Sequence, residues 1–194
     1  MSADPRLSTV LAPDGARIAV REHAAPAGTA EGPTLVLAHG WCLGAETWDR
    51  VVAELQARRP HLRVITYDQP GHGLSTPGHD RRVSLLDLGA TLREVIAETA
   101  PEGDVVLGGH SMGGMTVMAL AQTDPELFRR RVRGAGVIED EIAQRFPPIA
   151  PEFHRVVGTA QVHCGQVELQ PHGHPRVARI QWRRSNEPLV KLVK

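Results

Sequence analysis

The sequence predicts an α/β fold, a mostly parallel central sheet flanked by helices, and three observations predict it. Thr34 to Ala38 is a short, partly β-branched apolar run without polar alternation, the pattern of a strand covered on both faces, and comparable strands follow at 63–67 and 104–107. Segments with apolar residues at helical spacing lie between these runs, so strand and helix alternate without internal sequence repeats. The last of the three runs leads into a glycine-flanked serine and then into a stretch that is apolar nearly all round, the profile of a helix buried against a sheet.

Taken in order, Ser8 to Leu11 and Arg17 to Glu22 alternate in polarity around Pro13-Asp14-Gly15, which predicts a β-hairpin. A loop rich in Ala, Gly and Pro covers 24–33. After the strand at 34–38, Trp48, Val51, Val52 and Leu55 recur at helical spacing and predict a helix over 46–57. Arg63 to Tyr67 is the next strand, ending in Asp68. The loop from Gln69 to Asp80 contains Gly71, Gly73 and Gly78 and feeds a helix whose face carries Leu85, Leu88, Leu92, Val95 and Ile96. Asp104 to Leu107 is a strand, Met112 to Ala121 the buried helix, and Val132 to Ile138 one more strand.

A chain of 194 residues fits one domain with a real core, here 1–194, of which 8–138 carry the periodic pattern. From 139 to 194 the pattern weakens: Pro, His and Arg are scattered without sustained period, and Pro147, Pro148 and Pro151 interrupt any helix. Acidic and basic residues balance at 22 each with no run of one sign, which gives no footprint for nucleic acid or an anionic membrane. No stretch approaches the roughly 18 apolar residues of a spanning helix, and the N-terminus lacks a basic region followed by an apolar one, so a soluble cytoplasmic protein is expected. Cys42 and Cys164 lie far apart in no metal-like spacing and are expected to be free thiols, with Cys42 a small packed one.

The chemistry concentrates in Val105-Val106-Leu107-Gly108-Gly109-His110-Ser111-Met112-Gly113-Gly114, a G-x-S-x-G sequence between a strand and a helix. A serine on so sharp a turn needs neighbours two residues away that carry no side chain, and Gly109 and Gly113 meet that need. The turn is expected to lift the Ser111 hydroxyl above the sheet edge and to set the Met112 N–H at a helix N-terminus, where developing negative charge is stabilised. The alternative is a glycine-rich helix start that only packs closely. A phosphate-binding loop, whose glycine spacing Gly109 and Gly114 share, is set aside because the next residues are Met115 and Thr116, so the Lys that would reach the phosphates is missing. The dinucleotide fingerprint fails because His110 occupies the position of its second glycine.

A second signal is Leu35-Val36-Leu37-Ala38-His39-Gly40-Trp41, and a third is Asp68-Gln69-Pro70-Gly71-His72-Gly73-Leu74-Ser75. With the serine motif they stand in the order and spacing of the α/β-hydrolase superfamily, which the chain resembles over roughly 8–138. The likeness is to its serine esterase, non-haem haloperoxidase and lipase-like branch. That resemblance implies an α/β-hydrolase fold and hydrolysis of a carboxylic ester or similar acyl bond, with Ser111 the nucleophile of an acyl-enzyme. It implies an oxyanion hole from the backbone N–H groups of Trp41 and Met112. His39, Gly40, Gly109, His110 and Gly113 then support the corner, and His72 and Asp68 orient loops. It calls for a small-molecule ester-like substrate and no metal or organic cofactor.

The family order also requires an acid and a histidine after the serine, because a serine hydroxyl needs a base to take its proton and the base needs an orienting partner. The sequence supplies these poorly. No aspartate follows Asp140, so the acid is Asp140, Glu139, or one of Glu152, Glu168 and Glu187. Among His154, His163, His172 and His174, the run Gly173-His174-Pro175 is the one similar to the family's Gly-His-x-Pro turn, which selects His174. Two readings remain. In one the chain is a compact esterase with Ser111, Asp140 and His174 as its triad. In the other, which the weak tail favours, the sequence is truncated or shifted in frame after about residue 133, its back half is incomplete, and the product is catalytically impaired.

Overall fold

The computed structural model describes residues 4–25, 32–80 and 82–138. The hairpin forms as predicted: β1 (Arg6–Leu11) pairs antiparallel with β2 (Arg17–His23), and Gly15, at φ 82°, makes the turn that Asp14 closes by accepting the Ala16 N–H at 3.0 Å. β3 (Thr34–Ala38) and β4 (Val64–Tyr67) match the apolar runs. Between them the predicted helix divides. Ala45–Trp48 is a 3-10 turn, and α1 (Asp49–Arg58) follows it. The Ala45 N–H is drawn aside to the Asp68 carboxylate at 2.6 Å, a tether that periodicity cannot report.

α2 (Leu85–Thr99) begins at a reciprocal cap, in which Ser84 accepts the Asp87 N–H and Asp87 accepts the Ser84 N–H. β5 (Val105–His110) runs three residues beyond the predicted end, because Gly108 and Gly109 pair with β3 and β6 through backbone groups that leave no apolar signature. α3 (Met112–Thr123) follows Ser111 directly, and β6 (Val132–Ile138) has the predicted bounds. The sequence reading missed α4 (Pro125–Arg131). Its signal was present: Asp124 accepts the Leu127 N–H at 2.9 Å as the cap, and Pro125 takes the first helical position, where no N–H is needed.

The sheet order is β1-β2-β4-β3-β5-β6, parallel from β4 through β6 and antiparallel where the hairpin joins. Side chains alternate across it. Ile18, Val20, Val36, Ile65, Tyr67 and Leu107 face α2 and α3, where they meet Leu92, Val95, Ile96, Val117 and Leu120. Leu37 and Val64 face the other way onto Trp48, Val51 and Val52. Both faces are therefore covered, as the continuous apolar runs require. The helices approach closely because Gly89 of α2 lies against the α3 backbone: a Cβ there would sit 2.7 Å from the Ala119 carbonyl carbon.

This order fixes where a site can form. The chain leaves β3 toward β4 on one side and returns as β5 on the other, so the connections diverge at the carboxyl ends of β3 and β5. Such a divergence opens a crevice in an open α/β sheet. His39-Gly40-Trp41, Asp68-Gln69 and Ser111 all follow the carboxyl ends of these parallel strands.

Candidate active site

Ser111 adopts φ 50° and ψ −114°, a conformation L residues avoid and glycine favours. Packing imposes it. A Cβ on Gly109 would stand 2.3 Å from the Gly113 carbonyl, and one on Gly113 would stand 2.1 Å from the Ala38 carbonyl oxygen. The start of α3 is thus pressed against both β5 and the end of β3. The Ser111 side chain is half-buried and does not cap α3, while its carbonyl accepts the Met115 N–H at 3.1 Å as the first bond of the helix. Because a trans peptide is planar, the Met112 N–H points opposite to that carbonyl, out of the N-terminal end of α3.

The end of β3 closes against the same corner. A Cβ on Gly40 would lie 2.5 Å from His110 Nδ1, so the turn after β3 touches the residue before Ser111. His39 is fully buried, and its Nε2 accepts the Gln69 backbone N–H at 2.9 Å. An N–H can only donate, so the ring proton is on Nδ1, which donates to the Gly40 carbonyl at 2.8 Å. Burial, reinforced by the neighbouring His72, holds the His39 pKa below the usual histidine value. His39 is a neutral bracket. Its bond to the Gly40 carbonyl orients the following peptide plane and with it the Trp41 N–H.

Asp68 organises the loops beside this corner. Its Oδ1 accepts the Ala45 N–H, its Oδ2 accepts the Leu74 N–H at 2.9 Å, and Ser75 Oγ donates to its carbonyl at 2.7 Å while accepting the Ala19 N–H at 2.8 Å. The Trp41 indole is 69 % exposed and stands edge-on to the His72 ring at 5.5 Å; His72 in turn lies 5.2 Å from His39. Cys42 departs from expectation. It is exposed rather than packed and sits at φ 57°, because the chain turns outward after Trp41.

The sequence reading missed two residues here. Gln69 and Thr116 are fully buried and bonded to each other, Thr116 Oγ1 lying 2.8 Å from Gln69 Oε1. The signal was a hydroxyl in the middle of a helix otherwise apolar all round, since a buried polar group needs a partner. Asp140 and His174 lie outside the described residues, as do Glu139, Glu152, Glu168, Glu187, His154, His163 and His172. Among the described residues no cluster of three metal-ligating side chains occurs, and no helix is long and apolar enough to cross a membrane.

Comparison with known proteins adds a family. The profile of the alpha/beta hydrolase fold matches residues 33–134. A pimeloyl-[acyl-carrier protein] methyl ester esterase of Nitrosomonas europaea is 38% identical over 104 residues, which cover 54% of this chain and 37% of that protein. The (E)-2-((N-methylformamido)methylene)succinate hydrolase of Acinetobacter baylyi is 33% identical over 159 residues, 76% of this chain and 56% of the relative. The crystal structure of a putative aryl esterase from Burkholderia cenocepacia superposes with a TM-score of 0.57 at 30% identity, covering 68% of this chain and 46% of that one. The chain spans about a third to about half the length of the curated relatives it matches.

Proposed function

We propose that this chain, which belongs to the alpha/beta hydrolase fold family, hydrolyses a carboxylic ester or related acyl bond through an acyl-enzyme on Ser111. The observation that carries the reading is the backbone of Ser111, held at φ 50° between a buried strand and a buried helix. Strain of that kind persists only where the surroundings enforce it, and it raises the hydroxyl to the carboxyl edge of the sheet. Relatives named as esterases and hydrolases support ester hydrolysis in general.

In this reading Ser111 Oγ attacks the ester carbonyl carbon while an imidazole takes its proton. The carbonyl oxygen becomes an oxyanion and accepts from the Trp41 and Met112 N–H groups, each such donor contributing about 3 to 4 kcal/mol to the transition state. Collapse expels the alcohol with the returned proton, and water then releases the acid. His174 and Asp140 are the proposed base and its orienting acid. His39 has no part in proton transfer, because both ring nitrogens are engaged inside the protein.

A second reading rests on a specific observation: the family match ends at residue 134, before every candidate acid and base. A chain without that pair keeps the corner and the two amides, and such a remnant retains only on the order of 10³–10⁴-fold catalysis over water. Labelling with a fluorophosphonate separates the readings. An adduct on Ser111 together with ester turnover that Ser111→Ala abolishes supports the enzyme. An intact corner without turnover supports the impaired chain, and turnover unchanged in Ser111→Ala removes the serine mechanism altogether.

A further inference from the structure

We infer that Gln69 is a positioning residue whose side-chain amide, bridging the His39 carbonyl and Thr116, holds the Trp41 and Met112 amides in register for one oxyanion. The inference rests on the function proposed above and assigns a role to a residue outside the serine motif. Gln69 Nε2 donates to the His39 carbonyl at 2.6 Å, and Gln69 Oε1 accepts from Thr116 Oγ1 at 2.8 Å. The amide cannot be reversed, because that would set its oxygen against the His39 carbonyl. Thr116 Oγ1 also lies 2.9 Å from the Met112 carbonyl, so its single proton is shared between that oxygen and Gln69 Oε1. All three side chains, His39, Gln69 and Thr116, are fully buried, where no water is at hand to replace a lost partner.

The bridge connects two peptide groups that the sheet alone leaves independent. On one side, the Gln69 backbone N–H selects the His39 tautomer, whose Nδ1–H holds the Gly40 carbonyl and aims the Trp41 N–H. The Gln69 side chain holds the preceding carbonyl, that of His39. On the other side, Thr116 is one turn along α3 from Met112 and grips its carbonyl. Gln69 follows β4 and belongs to neither β3 nor α3, so it is the third body that spans them. A misplacement of about 1 Å between groups that act together lowers rates on the order of 100-fold, which is the scale of effect expected from cutting such a bridge.

Phenylboronic acid tests this without requiring turnover. Ser111 Oγ adds to boron, its proton passes to buffer, and the tetrahedral boronate anion left behind presents one of its boron-bound hydroxyl oxygens to the two amides. The expected result is adduct formation by the unaltered chain, read by boron NMR, with affinity falling on the order of 100-fold in Gln69→Leu and in Thr116→Val, which keep the volume and remove the polar groups. Thr116→Ser, which retains the hydroxyl, should restore most of the affinity. In amide NMR spectra the Trp41 and Met112 signals should move in the two weakened variants. Affinity retained in Gln69→Leu and Thr116→Val with both signals in place overturns the inference, even if the variants melt earlier, and leaves the serine reading standing. No adduct on the unaltered chain removes the serine reading and this inference with it.

Discussion

The corner after β4 and the corner after β5 both turn a buried strand sharply at the same edge of the sheet, yet they carry their backbone strain on different residues. After β4 the left-handed conformations fall on Gly71 and Gly73, and the Asp68 carboxylate accepts two loop N–H groups that would otherwise be unpaired. After β5 the positive φ falls on Ser111, with glycines set two residues away on either side. Glycine at 111 would adopt this backbone at less cost, as it does at 71 and 73. The difference fits the function proposed above, in which the hydroxyl at the second corner is kept in spite of the backbone, since strained conformations cluster at functional sites.

The largest effect expected from this contrast comes from the glycines. Gly113→Ala sets a methyl group 2.1 Å from the Ala38 carbonyl oxygen, backbone against backbone, where neither side can rotate away. It should destabilise by about 3 kcal/mol or more, in the upper range for overpacking. Gly73→Ala meets the Asp68 carboxylate at 2.3 Å and a φ of 49°, but a side chain can yield, so about 1–2 kcal/mol is expected. Urea unfolding of the two variants ranks the corners. Equal or inverted losses would show that the β5 corner is no more tightly enforced than its neighbour.

A smaller and opposite effect is expected at the serine. Ser111→Gly relieves strain of about 1–3 kcal/mol, offset in part by the extra freedom of glycine in the unfolded chain, about 0.5–1 kcal/mol. Relative to Ser111→Ala it should therefore be more stable by about 1 kcal/mol, while both variants lose all phosphonate labelling. A glycine variant no more stable than the alanine one would mean that the backbone at 111 is relaxed, and the contrast between the corners would lose its basis.

Much of this was legible in the sequence, for reasons that differ by residue. Strands β3 and β4 are covered on both faces, so their apolar runs mark them with nearly correct bounds. The G-x-S-x-G corner was readable because steric need selects glycine at fixed offsets. The true end of β5 was not, since paired glycines show no hydropathy, and α4 was passed over although its Asp-Pro start was in plain view. Cys42 was misread as packed because residue type says nothing of where a turn points. Gln69 and Thr116 lie 47 positions apart, and a contact that a third strand brings together leaves no local pattern.

The finest distinction between the corners is protonic. His39, a neutral ring, links the corner after β4 to the turn after β3, which packs against the corner after β5: Nε2 accepts from Gln69 and Nδ1 donates to Gly40. Burial lowers its pKa from the ordinary value of about 6.5. Between that value and the lower folded one, the unfolded chain binds more protons, so stability rises with pH there. The contribution of His39 is complete above about pH 6.5 and is lost as the pH falls through that value toward the folded pKa. Burial lowers His23 as well, so a melting curve alone mixes two rings. NMR titration separates them: the His39 Nε2 resonance should remain that of an unprotonated acceptor at pH values where a free histidine is mostly charged. Protonation puts a second N–H against the Gln69 N–H, so the same titration should loosen the Trp41 amide. A His39 ring that charges at or above 6.5 with that amide unmoved would mean that the turns after β3 and β4 are braced by something other than this histidine.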